Sequence, residues 1–127
     1  MLVYIAAPWV RKAEAISAGR EIEAAGHIVT SRWFYHGDGG NAMDSTGITQ
    51  PIENIREQAW EDIEDVCSSD VLVVLNLEKS EGKAVETGIA IASNIPIVSV
   101  GPRSNIFQTL GYEVETIQGA IEVLDLL

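Results

Sequence analysis

The chain has 127 residues, 46% of them hydrophobic and only 6% aromatic, which is enough for one domain with a single core. Nineteen acids against eight bases give a net charge of −11, which argues against nucleic acid polymers and anionic membrane surfaces as partners, since both need a basic face. The lone cysteine, Cys67, rules out an intrachain disulfide, and no apolar run approaches membrane-spanning length.

Leu2–Ala6 reads as a first strand, and it opens so early that no signal peptide fits ahead of it; a cytoplasmic location is the expectation. Ala7, Pro8 and Trp9 form a tight loop at its carboxyl end. A helix follows from about Val10 to Ala25, with Ala13, Ile16, Ala18 and Ile22 near helical spacing and Gly26 placed to end it. His27–Trp33 reads as a second strand. Phe34–Pro51 contains four glycines and no periodicity. A loop this long in a compact domain is either a surface insertion or a lid, and as a lid it would offer Trp33, Phe34 or Tyr35 for stacking on a ring.

Glu53–Ser69 reads as a second helix, with Ile55, Ala59, Ile63 and Val66 on one face and Glu57, Glu61 and Glu64 on a solvated one. Asp62 and Asp65 flank the apolar stripe. Cys67, late in this helix, is expected to be a buried spectator. His27 and His36 lie at no metal-ligand spacing, so no structural zinc is expected.

The organising stretch is Asp70–Gly88. Val71–Leu75 is a short, β-branched apolar run that suits a parallel strand buried on both faces. A polar loop, Asn76–Gly82, leads into a helix of small apolar residues from Ala84 to Ala92. In open α/β sheets the ligand crevice lies at the carboxyl ends of the strands, beside such loops. Glu86 is expected in the first turn of the helix, next to that crevice. Taken alone it is accounted for as a helix-start residue, because unpaired N–H groups and the macrodipole attract negative charge there. Gly82, Ala84, Gly88 and Ala90 around it would let a ligand come close, and Asp62 is a second acid within reach of the same crevice.

The remaining elements are a fourth strand, Ile97–Val100, then a loop, Gly101–Leu110, with room for one helical turn. A short fifth strand, Glu113–Thr116, and a final helix, Ile117–Leu126, follow. Alternating strands and helices predict an α/β fold: a single-domain, three-layer, doubly wound parallel sheet of about five strands in the order 2-1-3-4-5. GxGxxG and P-loop motifs are both absent, so no cofactor is expected.

The spaced set Asp62, Asp70, Gly82, Glu86 and Gly88, together with YIAAPWV at Tyr4–Val10 and the IPIVSVG strand, resembles the nucleoside 2-deoxyribosyltransferases. Relatives that hydrolyse deoxynucleoside 5'-monophosphates share the pattern. The resemblance spans most of the chain from Leu2 to Gly101. It implies cleavage of the N-glycosidic bond of a 2'-deoxynucleoside, with Glu86 as nucleophile, Asp62 assisting the departing base and Tyr4 holding the Glu86 carboxylate. It implies that Ala7, Pro8, Trp9, Ser80, Gly82 and Asn105 line the substrate site. It further implies a deoxynucleoside or deoxynucleotide as small-molecule partner, and a homodimer or larger assembly, since the family builds its sites between subunits.

Three positions depart from the family pattern. The transferases carry an aspartate six residues before the nucleophile, where this chain has Ser80; the monophosphate hydrolases have serine there, beside the phosphate. Those hydrolases follow the tyrosine with a phosphate-binding serine and arginine, where this chain has Pro8 and Val10, with Arg11 one place off. The carboxyl-terminal segment AIEVLDLL has no tyrosine after Tyr112. Transfer to a second base, hydrolysis, and a catalytically silent nucleotide-binding module on the same fold all stay open on these residues.

Overall fold

The computed structural model describes residues 1–35 and 51–127. Within them, five strands form one parallel sheet: β1 (Leu2–Ala6), β2 (Ile28–Val29), β3 (Val71–Leu75), β4 (Ile97–Val100) and β5 (Tyr112–Val114), in the order β2-β1-β3-β4-β5. Four helices cover it: α1 (Lys12–Ala24), α2 (Ile52–Cys67), α3 (Glu81–Ala92) and α4 (Ile117–Leu126). α1 packs with α4 and α2 packs with α3, one pair to each face. This is the expected doubly wound α/β architecture. None of its helices, among the described residues, is long and apolar enough to cross a membrane.

The core runs along the two central strands. Val71–Leu75 is buried throughout, as an apolar run with helices on both faces must be, and Val3, Tyr4, Ile5 and Ala6 lie beside it in β1. Asp70 pins their register from the amino end: its Oδ2 accepts the Leu2 N–H at 2.7 Å while its own N–H donates to Leu2 O at 2.8 Å. Asp70 therefore holds the sheet at the edge opposite the crevice.

Boundaries differ where side chains take over backbone work. The expected seven-residue second strand shortens to Ile28–Val29. Past Val29, Ser31 Oγ accepts the Ile5 N–H at 2.6 Å and the Trp33 indole N–H donates to Ile5 O at 2.7 Å. These side chains satisfy the edge of β1, so no ladder is needed there. Trp33 and Phe34 are thereby buried and packed edge to face, with ring centroids 5.0 Å apart, so neither is presented to a ligand. Tyr35 is exposed. The rest of the expected lid, residues 36–50, lies outside the described residues.

The first helix begins later than expected, at Lys12, after a 3-10 turn over Trp9–Arg11. Gly26 does follow it in the left-handed region, at φ +98°. Cys67 is exposed, contrary to expectation, because it sits on the last turn of α2, where Asp65 and Val66 take the buried positions. The segment after β4 winds into a 3-10 turn over Ile106–Leu110. Gly111 then passes so close to β4 that a Cβ would lie 2.3 Å from Ile97 O.

Candidate active site

α3 starts earlier than its apolar residues suggest. Ser80 is its N-cap, in extended conformation, with Oγ accepting the Lys83 N–H at 3.2 Å. Glu86 is therefore the sixth residue of the helix, in its second turn and not its first. The consequence is electrostatic. The unpaired N–H groups that were expected to keep Glu86 charged lie a turn behind it, and the helix terminus acts over little more than one turn.

The Tyr4 hydroxyl, from the middle of β1, donates to Glu86 Oε2. The phenol is fully buried. Glu86 as a residue is half-buried, yet its surroundings desolvate the carboxyl and push its pKa up from the usual 4.5 to about 8. Burial disfavours the charged form, and the described residues provide no cation against it. The expected first-turn position, with its pull on negative charge, is thus corrected: Glu86 lies in the second turn, and burial raises its pKa to about 8.

The other candidate residues sort into three groups. Ala7, Pro8 and Trp9 form the loop at the carboxyl end of β1, with Ala7 buried and Trp9 half-buried. Trp9 is held from two sides, by Trp33 at 6.1 Å between centroids and by the Lys12 ammonium 4.7 Å above its ring. Asp62 lies on α2, which packs against α3, and its Oδ1 is out of contact with solvent. Its neighbour Asp65 is a structural ion pair: Arg32 donates Nη2 to Oδ1 at 2.6 Å and Nε to both oxygens at 3.0–3.1 Å.

Ser80 and Asn105 come together elsewhere, with Gly82 beside Ser80. Ser80 and Asn105 line a cavity of about 330 Å³ between the start of α3 and the segment after β4. Asn105 lines a second, apolar cleft of about 420 Å³ with Ala84, Thr87, Gly88, Ile91 and Phe107. Two residues along a helix turn the side chain by about 200°, so Gly88 faces this cleft while Glu86 faces β1. Glycine at 82 or 88 is not forced by packing: a Cβ at Gly82 would meet Ser80 Oγ at 3.9 Å, and one at Gly88 would meet nothing within 4 Å. The small residues thus open the β4 flank of α3, and Glu86 occupies the β1 flank.

Two features escaped the sequence reading. Arg11, in the loop after β1, pairs with Glu14 and reaches Glu78 in the loop after β3 at 3.3 Å, tying the two crevice loops together. Lys83 is buried to 3% exposure in a polar cluster with Asn76, Ser104 and Gln108. A lysine within an apolar helical stripe was the one available signal for it. Among the described residues, no three His, Cys, Asp or Glu side chains converge as metal ligands would.

Neither a protein-family model nor a curated protein matches the sequence. Solved structures do match the fold. A 2-deoxyribosyltransferase from Bacillus psychrosaccharolyticus superposes with a TM-score of 0.69 at 17% identity, over 95% of this chain and 90% of that one. A CMP N-glycosidase, BcmB, from Clostridium botulinum gives 0.59 at 16% identity, over the whole of both chains. A conserved protein from Enterococcus faecalis V583 gives 0.68 at 20% identity, over 100% of this chain and 99% of that one. At these identities the likeness is one of fold.

Proposed function

We propose that this protein cleaves the N-glycosidic bond of a 2'-deoxynucleoside and passes the deoxyribosyl group to another base. The observation that carries the reading is the Tyr4–Glu86 pair: a desolvated carboxyl on the helix after β3, accepting from a buried phenol of β1. Asp65 and Glu113 are paired with arginines, whereas burial alone raises the Glu86 pKa, and perturbed carboxyls of that kind cluster at functional sites.

In the reaction, the Glu86 carboxylate attacks the anomeric carbon from the face opposite the base, and a glycosyl ester forms as the N-glycosidic bond breaks. The bonding pair leaves with the base, and Asp62 supports that charge by a proton or hydrogen bond at a ring nitrogen. Tyr4 is the positioning residue, donating to the carboxylate oxygen that does not attack. A second base takes the sugar and releases Glu86. Ala7, Pro8 and Trp9 wall the pocket on the β1 side. Two solved structures of the same fold, a 2-deoxyribosyltransferase and a CMP N-glycosidase, support the reaction class.

A second reading is hydrolysis, with water in place of the acceptor base and a 5'-monophosphate as substrate. Ser80 at the α3 N-cap and the full-length likeness to the CMP N-glycosidase favour it. A homodimer or larger assembly that completes the site, in the cytoplasm, belongs to either reading. The test is release of free base from deoxynucleosides and their monophosphates, with and without a second base. Exchange that needs the second base supports transfer, and release without it supports hydrolysis. Binding with no release from any substrate would overturn both in favour of a silent binding module.

A further inference from the structure

We propose that Lys83 is a positioning residue: its buried ammonium ties the loop after β3 to the segment after β4, and so sets the width of the apolar cleft between that segment and α3. The inference rests on the glycosidic reading only where it concerns turnover, because Asn105 is among the residues expected to line the substrate site.

Three oxygens from two loops converge on one ammonium. Lys83 is 3% exposed, and its Nζ donates to Asn76 Oδ1 at 3.2 Å, to Glu78 O at 3.1 Å and to Ser104 Oγ at 3.3 Å. Asn76 and Glu78 follow β3, and Ser104 follows β4. An ammonium has three hydrogens and no acceptor, which suits three acceptors gathered around one point. The guanidinium fork of arginine is planar, and a neutral amide has one hydrogen too few.

The neighbouring side chains close the cluster. Asn76 Nδ2 donates to Gln108 Oε1 at 2.7 Å, Gln108 Nε2 donates back to Asn76 Oδ1 at 3.0 Å, and the Ser104 hydroxyl donates to that same oxygen at 3.0 Å. In a buried network whose members are all satisfied, a shift of any one orphans another, so a single arrangement is favoured. Among the described residues no carboxylate lies within ion-pair distance of the ammonium, and desolvation pushes its pKa below the usual lysine value. A charge buried on those terms adds little to stability. What the geometry gives it instead is registry: the two loops fit together one way.

Side chains also hold the rest of the segment. Arg103 pairs with Glu113 of β5, the Ser104 N–H donates to Gln108 Oε1 at 2.9 Å, and the Phe107 N–H donates to Asn105 Oδ1 at 3.0 Å. Asn105 and Phe107 form one wall of the cleft of about 420 Å³, and Ala84, Gly88 and Ile91 of α3 line the other. Lys83 belongs to α3 and grips Ser104, the residue before Asn105, so it joins the two walls.

Hydrogen exchange and base-release kinetics on the full chain test this. Lys83→Met keeps the length of the side chain and removes all three donated bonds. In it the Ser104 and Phe107 amides should exchange about tenfold faster or more, as for the loss of one bond to a charged group, while the β3 amides keep their wild-type rates. KM for the deoxynucleoside should rise about tenfold with kcat within about twofold, because Lys83 touches no reacting atom. Ser104→Ala cuts the same tie from the far side and should reproduce both changes; it decides the matter should Lys83→Met fail to fold. Unchanged exchange at Ser104 and Phe107 in Lys83→Met, and at Phe107 in Ser104→Ala, overturns the proposal. So does a fall in kcat with KM unchanged, which would place Lys83 in the chemistry. Wild-type protein that releases no base sinks the glycosidic reading alone, and faster exchange in the variants still supports the tie.

Discussion

The two flanks of α3 present the same physical problem with opposite signs. On the β1 flank, Glu86 is desolvated with a phenol for company; on the β4 flank, Lys83 is desolvated with three neutral oxygens. They are three residues apart, and neither has its pKa moved by the other: burial is the sole cause of each shift, up for the acid and down for the base. Elsewhere this chain pairs its charges, as in Arg32 with Asp65 and Arg103 with Glu113. At the amino ends of β1 and β3, Asp70 and Leu2 are paired through two hydrogen bonds. Among the described residues, α3 carries the two groups whose pKa shifts have burial as their sole cause. That contrast sets α3 apart from the amino end of the sheet, where Asp70 joins β1 to β3.

The largest effect should come from Glu86→Gln, which keeps shape and removes the proposed nucleophile. Base release should fall by about three orders of magnitude or more while the protein stays folded. The same variant tests the burial argument through stability. The unfolded chain loses this proton near pH 4.5 and the folded one near 8. Between those values the folded state binds more protons, so its stability should decline as pH rises from about 4.5 to about 8 and level off beyond. In Glu86→Gln the melting temperature should lose that decline. An identical pH profile in both proteins would mean the carboxyl is not desolvated.

Next is the pH–rate profile. kcat/KM should climb with pH to a break near 8, because the free enzyme must shed the Glu86 proton before attack. Tyr4→Phe removes the donor to the carboxylate, so it should move the break to higher pH and lower the rate by about one to two orders of magnitude. A break that stays put would detach Tyr4 from Glu86. Asp62→Asn should slow base release less for bases that leave easily, since its proposed role is with the leaving group; a uniform loss across bases would make Asp62 structural.

How much of this was legible in the sequence follows from what each element depends on. β1, β3, β4 and α4 were readable because an apolar or amphipathic run answers to local chemistry, whereas Thr116, read as the end of the fifth strand, is the N-cap of α4. The pairing of Tyr4 with Glu86 was readable from the resemblance. The protonation of Glu86 was not, because it turned on one capping bond at Ser80 that starts α3 at Glu81. Likewise, nothing in EGKAVETG distinguishes a lysine that snorkels to water from one folded under a neighbouring loop. The shortening of β2 depended on Ser31 and Trp33 reaching Ile5, a tertiary event that no propensity encodes.

The smallest effects sharpen the contrast from the other flank. Lys83→Met should leave the melting temperature unchanged or higher, because it exchanges an uncompensated buried charge for an apolar chain of similar length. A large drop would show the polar cluster to be a structural brace. Ser80→Ala should lower stability by about 1 kcal/mol through loss of the N-cap, whatever the substrate. A rate loss confined to monophosphates would place Ser80 at a substrate phosphate in addition.

The central claim is that Glu86 bonds covalently to the sugar, and mass spectrometry of the quenched reaction tests it most directly. Protein mixed with deoxynucleoside, without acceptor base, and stopped in acid should carry one added deoxyribosyl group. After digestion that group should map to the peptide containing Glu86, and Glu86→Gln should carry none. Free base released with no adduct on Glu86, or an adduct on another residue, would contradict the account.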